Sequence, residues 1–300
     1  MTPFGPGSVS LGVHAHDLPA AEQVRDLLAQ ATAGFAAGVD GVTVSEHHAG
    51  NPQYLPNPVQ VAAWILESAP PGGWSGGCPM LLAARPLAHV VEDLAWLDAR
   101  HPGLVGVAFV AGFVEADFAA PGHEFATRRE RFQAALPDAV AALSGRPSGQ
   151  LAHDRAVQAA RVPVLANAEG PVGARRAAVA GAGILLGAYR SAAAAAAVFA
   201  AYQEAGGRGA RVLIRRLHAG SLRAELRAEL TRLHAAGGDR AQDGYLGDDP
   251  RAIGGAIAAD VLVAGATGVN LRVNIAGITP AETHAQLALL PGVVAAIRAG

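Results

Sequence analysis

Short apolar runs alternate along the chain with stretches whose apolar residues recur at helical spacing. The runs at 9–13, 42–44, 80–83, 104–110, 162–166, 183–187, 211–217 and 269–273 predict eight strands. Helical periodicity covers most of the segments between them. Strands that alternate with helices in this way form parallel sheets covered by helices, and eight such units predict an α/β (β/α)8 TIM barrel. We expect one domain over residues 1–300.

The alternation pauses after the fourth predicted strand. An aromatic and acidic loop at 113–123 is followed by an arginine-rich helix predicted at 124–143. Long connections in barrels usually lie at the active face. We therefore predict an insertion after strand 4 that covers the active site.

Composition narrows the classes of ligand. An apolar content of 51% over 300 residues is enough to bury a large core. The net charge of −2 gives no electrostatic reason to bind nucleic acid or an anionic membrane, so we expect a small-molecule substrate. The one cysteine, Cys78, excludes an intrachain disulfide and fits the reducing cytoplasm. No apolar stretch is long enough to predict a membrane span.

A carboxylate and two imidazoles, Glu46, His47 and His48, directly follow the second predicted strand. The carboxyl ends of parallel strands carry the active sites of such sheets, and imidazole exchanges protons near neutral pH. The three residues are therefore candidate catalytic groups, with His47 first. Structural alternatives remain: Glu46 as a buried carboxylate bonded to backbone amides, and His48 as the group that orients Glu46 or the following loop.

Two further histidines, His14 and His16, close the first predicted strand. Alternate residues of a strand share a face, so both either line the pocket or are solvated loop residues. We take His14 as a candidate cofactor contact and His16 as a candidate substrate-pocket residue. No metal site is predicted, because the sequence has neither an H-E-x-x-H helix nor a cysteine pair.

The loop Glu169-Gly170-Pro171-Val172-Gly173 lies between the fifth predicted strand and a helix. Unpaired amides and the helix dipole at such a position favour an anion. Gly170 and Gly173 are therefore phosphate candidates, with Glu169 contributing its backbone. The alternative is an ordinary turn between strand and helix.

Further motifs occur in a fixed order along nearly the whole chain. They are 38–41, Glu46-His47-His48, Asn57-Pro58, Arg85-Pro86 with 92–98, Gly112-Phe113 with 117–132, 247–250 and 291–298. Together they resemble the luciferase-like superfamily of flavin-dependent oxidoreductases. The resemblance implies a TIM-barrel monooxygenase that binds reduced FMN across the barrel mouth and uses oxygen on a small organic substrate.

The resemblance also implies roles and partners. It places His47 beside the reactive edge of the flavin, and it implies a homodimer and a flavin reductase as the possible source of reduced FMN. A related branch implies a deazaflavin coenzyme and hydride transfer instead. A degenerate member that binds a ligand or partner without catalysis is the third possibility.

Several cofactor contacts follow from the resemblance alone. It assigns Gly76, Gly77 and Cys78 to a non-proline cis peptide against the flavin ring. An arginine that clamps the flavin phosphate in relatives is replaced here by Ala111. Either Arg128, Arg129 or Arg190 compensates or cofactor binding is weakened, and Arg190 is taken as a cofactor contact. Phe113 is a candidate for the substrate pocket.

Overall fold

Parallel strands form a ring in the computed structural model, which describes residues 2–51, 53–187, 190–235 and 245–300. The strands are β1 (Ser8–Val13), β2 (Gly41–Val44), β3 (Trp74–Gly77), β4 (Met80–Leu81), β5 (Val107–Val110), β6 (Val164–Asn167), β7 (Gly183–Leu186), β8 (Arg211–Ala219), β9 (Tyr245–Gly247) and β10 (Gly268–Arg272). Their order is β3-β2-β1-β10-β8-β7-β6-β5-β4, and β9 pairs with β8 outside this path.

Helices follow most of the strands. They are α1 (Ala20–Ala36), α2 (Pro58–Ser68), α3 (Leu87–Arg100), α4 (Ala116–Ala119), α5 (Arg128–Leu143), α6 (Arg155–Ala159), α7 (Pro171–Ala180), α8 (Ala192–Glu204), α9 (Ala224–Ala235), α10 (Pro250–Ala264) and α11 (Pro280–Ala299). None of the helices in the described ranges is long and apolar enough to cross a membrane. The predicted TIM-barrel architecture is confirmed, and α4, α5 and α6 all lie between β5 and β6.

The third barrel strand is interrupted. Ser75 of β3 bridges to Val105, and Met80 of β4 pairs with Phe109, so both parts run beside the same neighbour and close the ring. The strand predicted at 80–83 is confirmed for Met80–Leu81, which form β4, and is wrong for the rest, because residues 82–84 form a 3-10 helix. The predicted non-proline cis peptide is also wrong. Among the described residues the cis bond is Cys78–Pro79, where the tertiary amide of proline lowers the preference for trans.

The barrel interior is filled at the end where the strands begin. Phe4 and Trp74 meet edge to face with ring centroids 4.7 Å apart, and both are buried. Gly41 leaves room for the indole, since a Cβ there would overlap the ring of Trp74. Aromatic packing therefore seals this end, and the opposite end, where the strands terminate, remains available for a site.

Candidate active site

A cavity of about 660 Å³ lies at the carboxyl ends of the barrel strands. Its wall is made by Ser45, His47, Tyr54, Pro79, Val110, Ala111, Gly112, Phe113, Arg129, Asn167, Glu169, Leu185, Gly187, Arg190, Ile214, Arg216, Arg272 and Asn274. Small-molecule sites usually measure about 300–1,000 Å³. The His47 loop after β2 and the Glu169 loop after β6 thus meet at one cavity of suitable size.

His47 is held by a buried aspartate. Its Nδ1 lies 2.8 Å from Oδ2 of Asp117, whose Oδ1 accepts the backbone N–H of His48 at 2.8 Å. Because a carboxylate only accepts hydrogen bonds, Nδ1 carries a proton. In the described part of the chain, Nε2 has no hydrogen-bond partner. The arrangement fixes the imidazole on the cavity wall and leaves one nitrogen available for proton transfer.

Glu46 and His48 belong to a different cluster. The Glu46 carboxylate accepts the N–H of Leu81 at 2.7 Å and Nε of Arg85 at 2.8 Å, and lies 2.9 Å from Nε2 of His48. Glu46 is buried, and neither it nor His48 is among the described residues that line the cavity. These contacts correspond to the structural alternative, in which the carboxylate ties the loop after β2 to β4.

A buried arginine supports the cavity wall beside the His47 loop. Arg272 donates to Asn270 Oδ1 at 2.7 Å, Ser45 Oγ at 3.0 Å and the Cys78 carbonyl at 2.6 Å. Burial lowers the pKa of the Arg272 guanidinium. Its place beside β1 requires glycine at position 12, since a Cβ on Gly12 would overlap the guanidinium.

A hydrogen-bond chain leads from this wall to Tyr54, whose ring contacts that of His47. Arg216 NH1 donates to Asn274 Oδ1 at 3.2 Å, and Asn274 Nδ2 donates to the Tyr54 hydroxyl at 2.7 Å. The Tyr54 ring lies 4.9 Å from the His47 ring, between centroids. The cavity wall therefore carries an acid–base group, His47, that is connected through Tyr54 and Asn274 to Arg216.

The predicted phosphate loop lies at a second cavity of about 690 Å³. Gly170 caps α7, and no atom lies within 4 Å of the Cβ position there, so the loop has open space in front of it. At Gly173 the space is restricted instead, because a Cβ added there would lie 3.2 Å from the Cβ of Ala168. Asn167 and Glu169 line both cavities, which makes the two spaces contiguous.

Three arginines are candidates to replace the phosphate-binding arginine whose position is taken by Ala111. Arg128 donates to the carbonyls of Gly112 and Phe125 and stacks on the Phe125 ring. Arg190 Nε lies 3.3 Å from Glu169 Oε2. Arg129 lines both cavities and, among the described residues, has no hydrogen-bond or ion-pair partner. Arg129 is therefore the guanidinium best placed to meet an anion.

The histidines after β1 lie away from the described cavity wall. His16 is bonded through Nδ1 to Asp26 and through Nε2 to Thr283, at 2.6 and 3.0 Å. His14 is buried with both ring nitrogens unbonded, and desolvation lowers its pKa to about 3, which keeps it neutral near pH 7. No group of three or more possible metal ligands occurs in the described ranges.

The glycines of β3 serve packing between strands. A Cβ on Gly76 would overlap the carbonyl oxygen of Gly106, and one on Gly77 would come within 3.4 Å of Met80 and Pro58. Burial raises the pKa of the Cys78 thiol to about 11, so the thiol stays protonated. Gly76, Gly77 and Cys78 are not among the described residues that line the cavity, whereas Pro79, which follows them, is.

Phe113 lies at the cavity mouth. Its side chain is 77% exposed, although it forms part of the wall. The ring stands edge-on to His47, with 6.1 Å between centroids. An exposed aromatic beside the candidate catalytic group is in position to cover a bound ligand.

Solved structures share this architecture over nearly the whole chain. The monooxygenase RslO1 from Streptomyces bottropensis has a TM-score of 0.75 at 17% identity, over 95% of this chain and 97% of that one. An F420-dependent secondary alcohol dehydrogenase, in complex with an F420-acetone adduct, has a TM-score of 0.75 at 15% identity, over 96% and 99%. The chain shares the barrel fold of these two enzymes. No protein-family model and no curated protein matches its sequence.

A third structure of the luciferase-like fold contains a flavin. The oxygenating constituent of 3,6-diketocamphane monooxygenase from Pseudomonas putida, in complex with FMN, has a TM-score of 0.71 at 13% identity, over 97% of this chain and 98% of that one. At identities this low, the similarity establishes a shared fold and no shared function. The chemistry of the site therefore depends on the residues of this chain.

Sequence reasoning missed four residues that the tertiary structure brings to the site. They are Tyr54, Asp117, Arg216 and Arg272. Arg272 had a readable signal, because a charged residue at the end of a largely apolar barrel strand is expected to have a function, whereas Arg216 is one of several basic residues in β8. Asp117 belongs to one of the sequence motifs, but nothing in the sequence indicated its hydrogen bond to His47, 70 positions away.

Proposed function

We propose that this protein is a flavin-dependent oxidoreductase that binds reduced FMN and acts with oxygen as a monooxygenase on a small organic substrate. The observation that carries the proposal is the His47–Asp117 pair on the wall of the 660 Å³ cavity at the strand ends. The shared fold with FMN-binding and monooxygenase structures supports it.

The chain's residues suit the two chemical parts of FMN. Val110, Leu185 and Ile214 give the cavity apolar surfaces against which a planar ring packs. The amides at the start of α7 and the guanidinium of Arg129 offer donors for the phosphate. Bound FMN would supply the electrons and the site of reaction with oxygen.

His47 performs the proton transfer in this proposal. Asp117 holds Nδ1–H, so Nε2 of the neutral ring accepts a proton and returns it at the cavity wall. Asp117 also fixes the loop after β5 to the loop after β2, through the backbone N–H of His48. Phe113, on that β5 loop, limits the access of water to the site when a ligand lies beneath it.

Hydride transfer with a deazaflavin coenzyme is the second candidate. The cavity in front of α7 favours it, because that space extends along the helix and its wall includes Arg175 and Arg176. A coenzyme with an anionic tail longer than that of FMN would use this additional room. The similar fold of an F420-dependent dehydrogenase is consistent with this alternative.

Cofactor titration separates these candidates. Purified protein is titrated with oxidised FMN, reduced FMN under anaerobic conditions, and the deazaflavin coenzyme, with visible absorption and fluorescence as readouts. We expect reduced FMN to bind and to react with oxygen at a rate that falls in His47→Gln. Binding of the deazaflavin coenzyme alone would support hydride transfer. If neither cofactor binds, the proposal is wrong and the non-catalytic alternative takes its place.

Three expectations from the family resemblance belong to the same proposal. They are a separate flavin reductase that supplies reduced FMN, a homodimer and a cytoplasmic location. Light scattering coupled to gel filtration measures the oligomeric state. An NADH oxidation assay with and without added reductase measures whether the protein reduces flavin by itself.

A further inference from the structure

Arg272 of β10 is a buried cation on the wall of the cavity. The residue is 4% exposed, and it is one of the described residues that line the cavity. Its three hydrogen bonds go to the amide oxygen of Asn270, the hydroxyl of Ser45 and the carbonyl of Cys78, all of them neutral. Because a buried charge without a counter-ion is unfavourable, such a cation indicates a site for negative charge.

The ionisable groups around Arg272 bring no negative charge to it. The thiol of Cys78 stays protonated, since burial raises its pKa to about 11. Burial lowers the pKa of His14 to about 3, so its ring is neutral near pH 7. The other groups that act on Arg272 are the phenol of Tyr54 and the guanidinium of Arg216, and in the described part of the chain no carboxylate is among them.

Arg272 also keeps hydrogen-bond donors for a ligand. A guanidinium has five N–H groups in a planar fork. Nε, Nη1 and Nη2 of Arg272 each use one N–H in the three bonds within the chain, and these bonds fix the plane of the fork. Within the described ranges the second N–H of each Nη atom has no acceptor. A ligand with two neighbouring acceptor atoms and a negative charge matches this pair.

The phosphate of FMN is served by a different part of the site. Its proposed donors, Arg129 and the amides at the start of α7, belong to the cavity in front of α7, and Arg272 does not line that cavity. With the phosphate held there, the ring of FMN lies in the cavity at the strand ends, where Val110, Leu185 and Ile214 provide apolar surface. Arg272 therefore faces the space of the ring.

Reduction changes the charge that the ring of FMN can carry. The reduced ring has a proton on N5, and N1 either takes a second proton or remains negatively charged. In the anionic form, N1 and the adjacent carbonyl oxygen O2 are two neighbouring acceptors. Because the oxidised ring is neutral, a fixed positive charge beside this edge stabilises the reduced anion selectively.

We infer that Arg272 binds the N1–O2 edge of reduced FMN and holds the ring as its anion. The inference rests on the proposed function for the presence of FMN, and it deepens that function by assigning the protonation state of the cofactor. Reduction of bound FMN then takes up two electrons and one proton, which goes to N5. The charge of Arg272 balances the negative charge of the ring, so the site favours reduced over oxidised FMN.

The test measures the midpoint potential of bound FMN against pH under anaerobic conditions, beside free FMN in the same buffers. A two-electron reduction with uptake of one proton changes the potential by about 30 mV per pH unit, and uptake of two protons changes it by about 59 mV. We expect the smaller slope for bound FMN in the acidic range where free FMN shows the larger one. The absorption spectrum of the fully reduced complex reports the same protonation state independently.

Variants assign the effect to Arg272. Arg272→Gln should restore the larger slope and lower the affinity for reduced FMN about tenfold relative to that for oxidised FMN. Its loss of the Cys78 contact endangers folding, so Arg272→Lys is the second variant. Lysine keeps the charge without the fork, and the change of slope should then occur at a pH between those of wild type and free FMN. Arg129→Gln removes a cation from the phosphate side and should keep the wild-type slope.

The results distinguish failure of this inference from failure of the proposed function. The smaller slope in wild type, altered in an Arg272 variant and retained in Arg129→Gln, supports the inference. Bound FMN with the slope of free FMN at every pH overturns it and leaves the proposed function intact. The inference is also overturned if the Arg272 variants that fold keep the wild-type slope, or if Arg129→Gln abolishes it. If FMN binds in neither redox state, the inference and the proposed function are both wrong.

Discussion

Replacing Asp117 by asparagine removes the negative charge behind His47 and keeps the size of the side chain. The carboxylate now serves two donors, Nδ1–H of His47 and the backbone N–H of His48, each at 2.8 Å. An amide has one oxygen. If that oxygen keeps the backbone N–H, the amide NH₂ meets Nδ1 and donates to it, which moves the imidazole proton to Nε2.

This change has a structural cost and a functional cost. Both hydrogen bonds change from a charged to a neutral partner, which weakens each by about 1–1.5 kcal/mol, so we expect the fold to lose about 2–3 kcal/mol and Tm to fall by roughly 3–6 °C. With the proton on Nε2, neutral His47 no longer accepts a proton at the cavity wall. General base catalysis contributes about 10²–10⁴-fold, so we expect the reaction of bound reduced FMN with oxygen to slow by about 10²-fold.

The assay uses a matched control. Asp98 is another buried aspartate that accepts two backbone N–H groups, from Gly103 and Arg161, and it does not line the described cavity. Asp98→Asn should lower Tm by a comparable amount and leave the oxygen reaction unchanged. The His47 tautomer, read from long-range ¹H–¹⁵N spectra, should change in Asp117→Asn alone.

The reasoning is refuted if Asp117→Asn keeps the Nδ1–H tautomer and the wild-type rate while losing stability. Asp117 would then be a structural residue that joins two loops. A rate loss of equal size in the Asp98→Asn control would likewise assign the effect to general destabilisation.

Three further substitutions test the site and its surroundings. Glu46→Gln leaves the positive charge of Arg85 without its buried partner, so we expect a loss of about 3 kcal/mol in urea unfolding with FMN binding retained; a loss below about 1 kcal/mol contradicts this. Burial raises the pKa of Asp26, but hydrogen bonds from His16, His284 and Gln30 together outweigh it and bring the value to about 2. The resulting stability is present above about pH 4 and is lost as the pH falls towards 2, so wild type and Asp26→Asn should converge there in urea unfolding; a constant difference refutes the assignment. Arg129→Gln should weaken FMN binding about tenfold and leave riboflavin binding unchanged, as measured by fluorescence quenching; equal losses for both exclude a phosphate contact.

Local pattern predicted the barrel because strand and helix periodicities depend on neighbouring residues. The apolar runs at 42–44 and 162–166 became β2 and β6, and the rule that parallel strands end at one rim brought His47 and Glu169 to the same cavity. The third strand was misplaced. Trp74 and the small residues of β3 give a weak strand signal, and their place depends on packing against Gly41 and Gly106.

The sequence by itself determined the type of barrel, the face that carries the chemistry and the histidine that lies there. The tertiary structure decided which groups act together: Asp117 with His47, and Arg272 with Ser45 across 227 positions. It also separated Glu46 and His48 from the cavity, because Glu46 is bonded to Arg85 and Leu81 and His48 is bonded to Glu46. Such contacts depend on closure of the ring, which brings distant strands into register, and no local periodicity encodes that register.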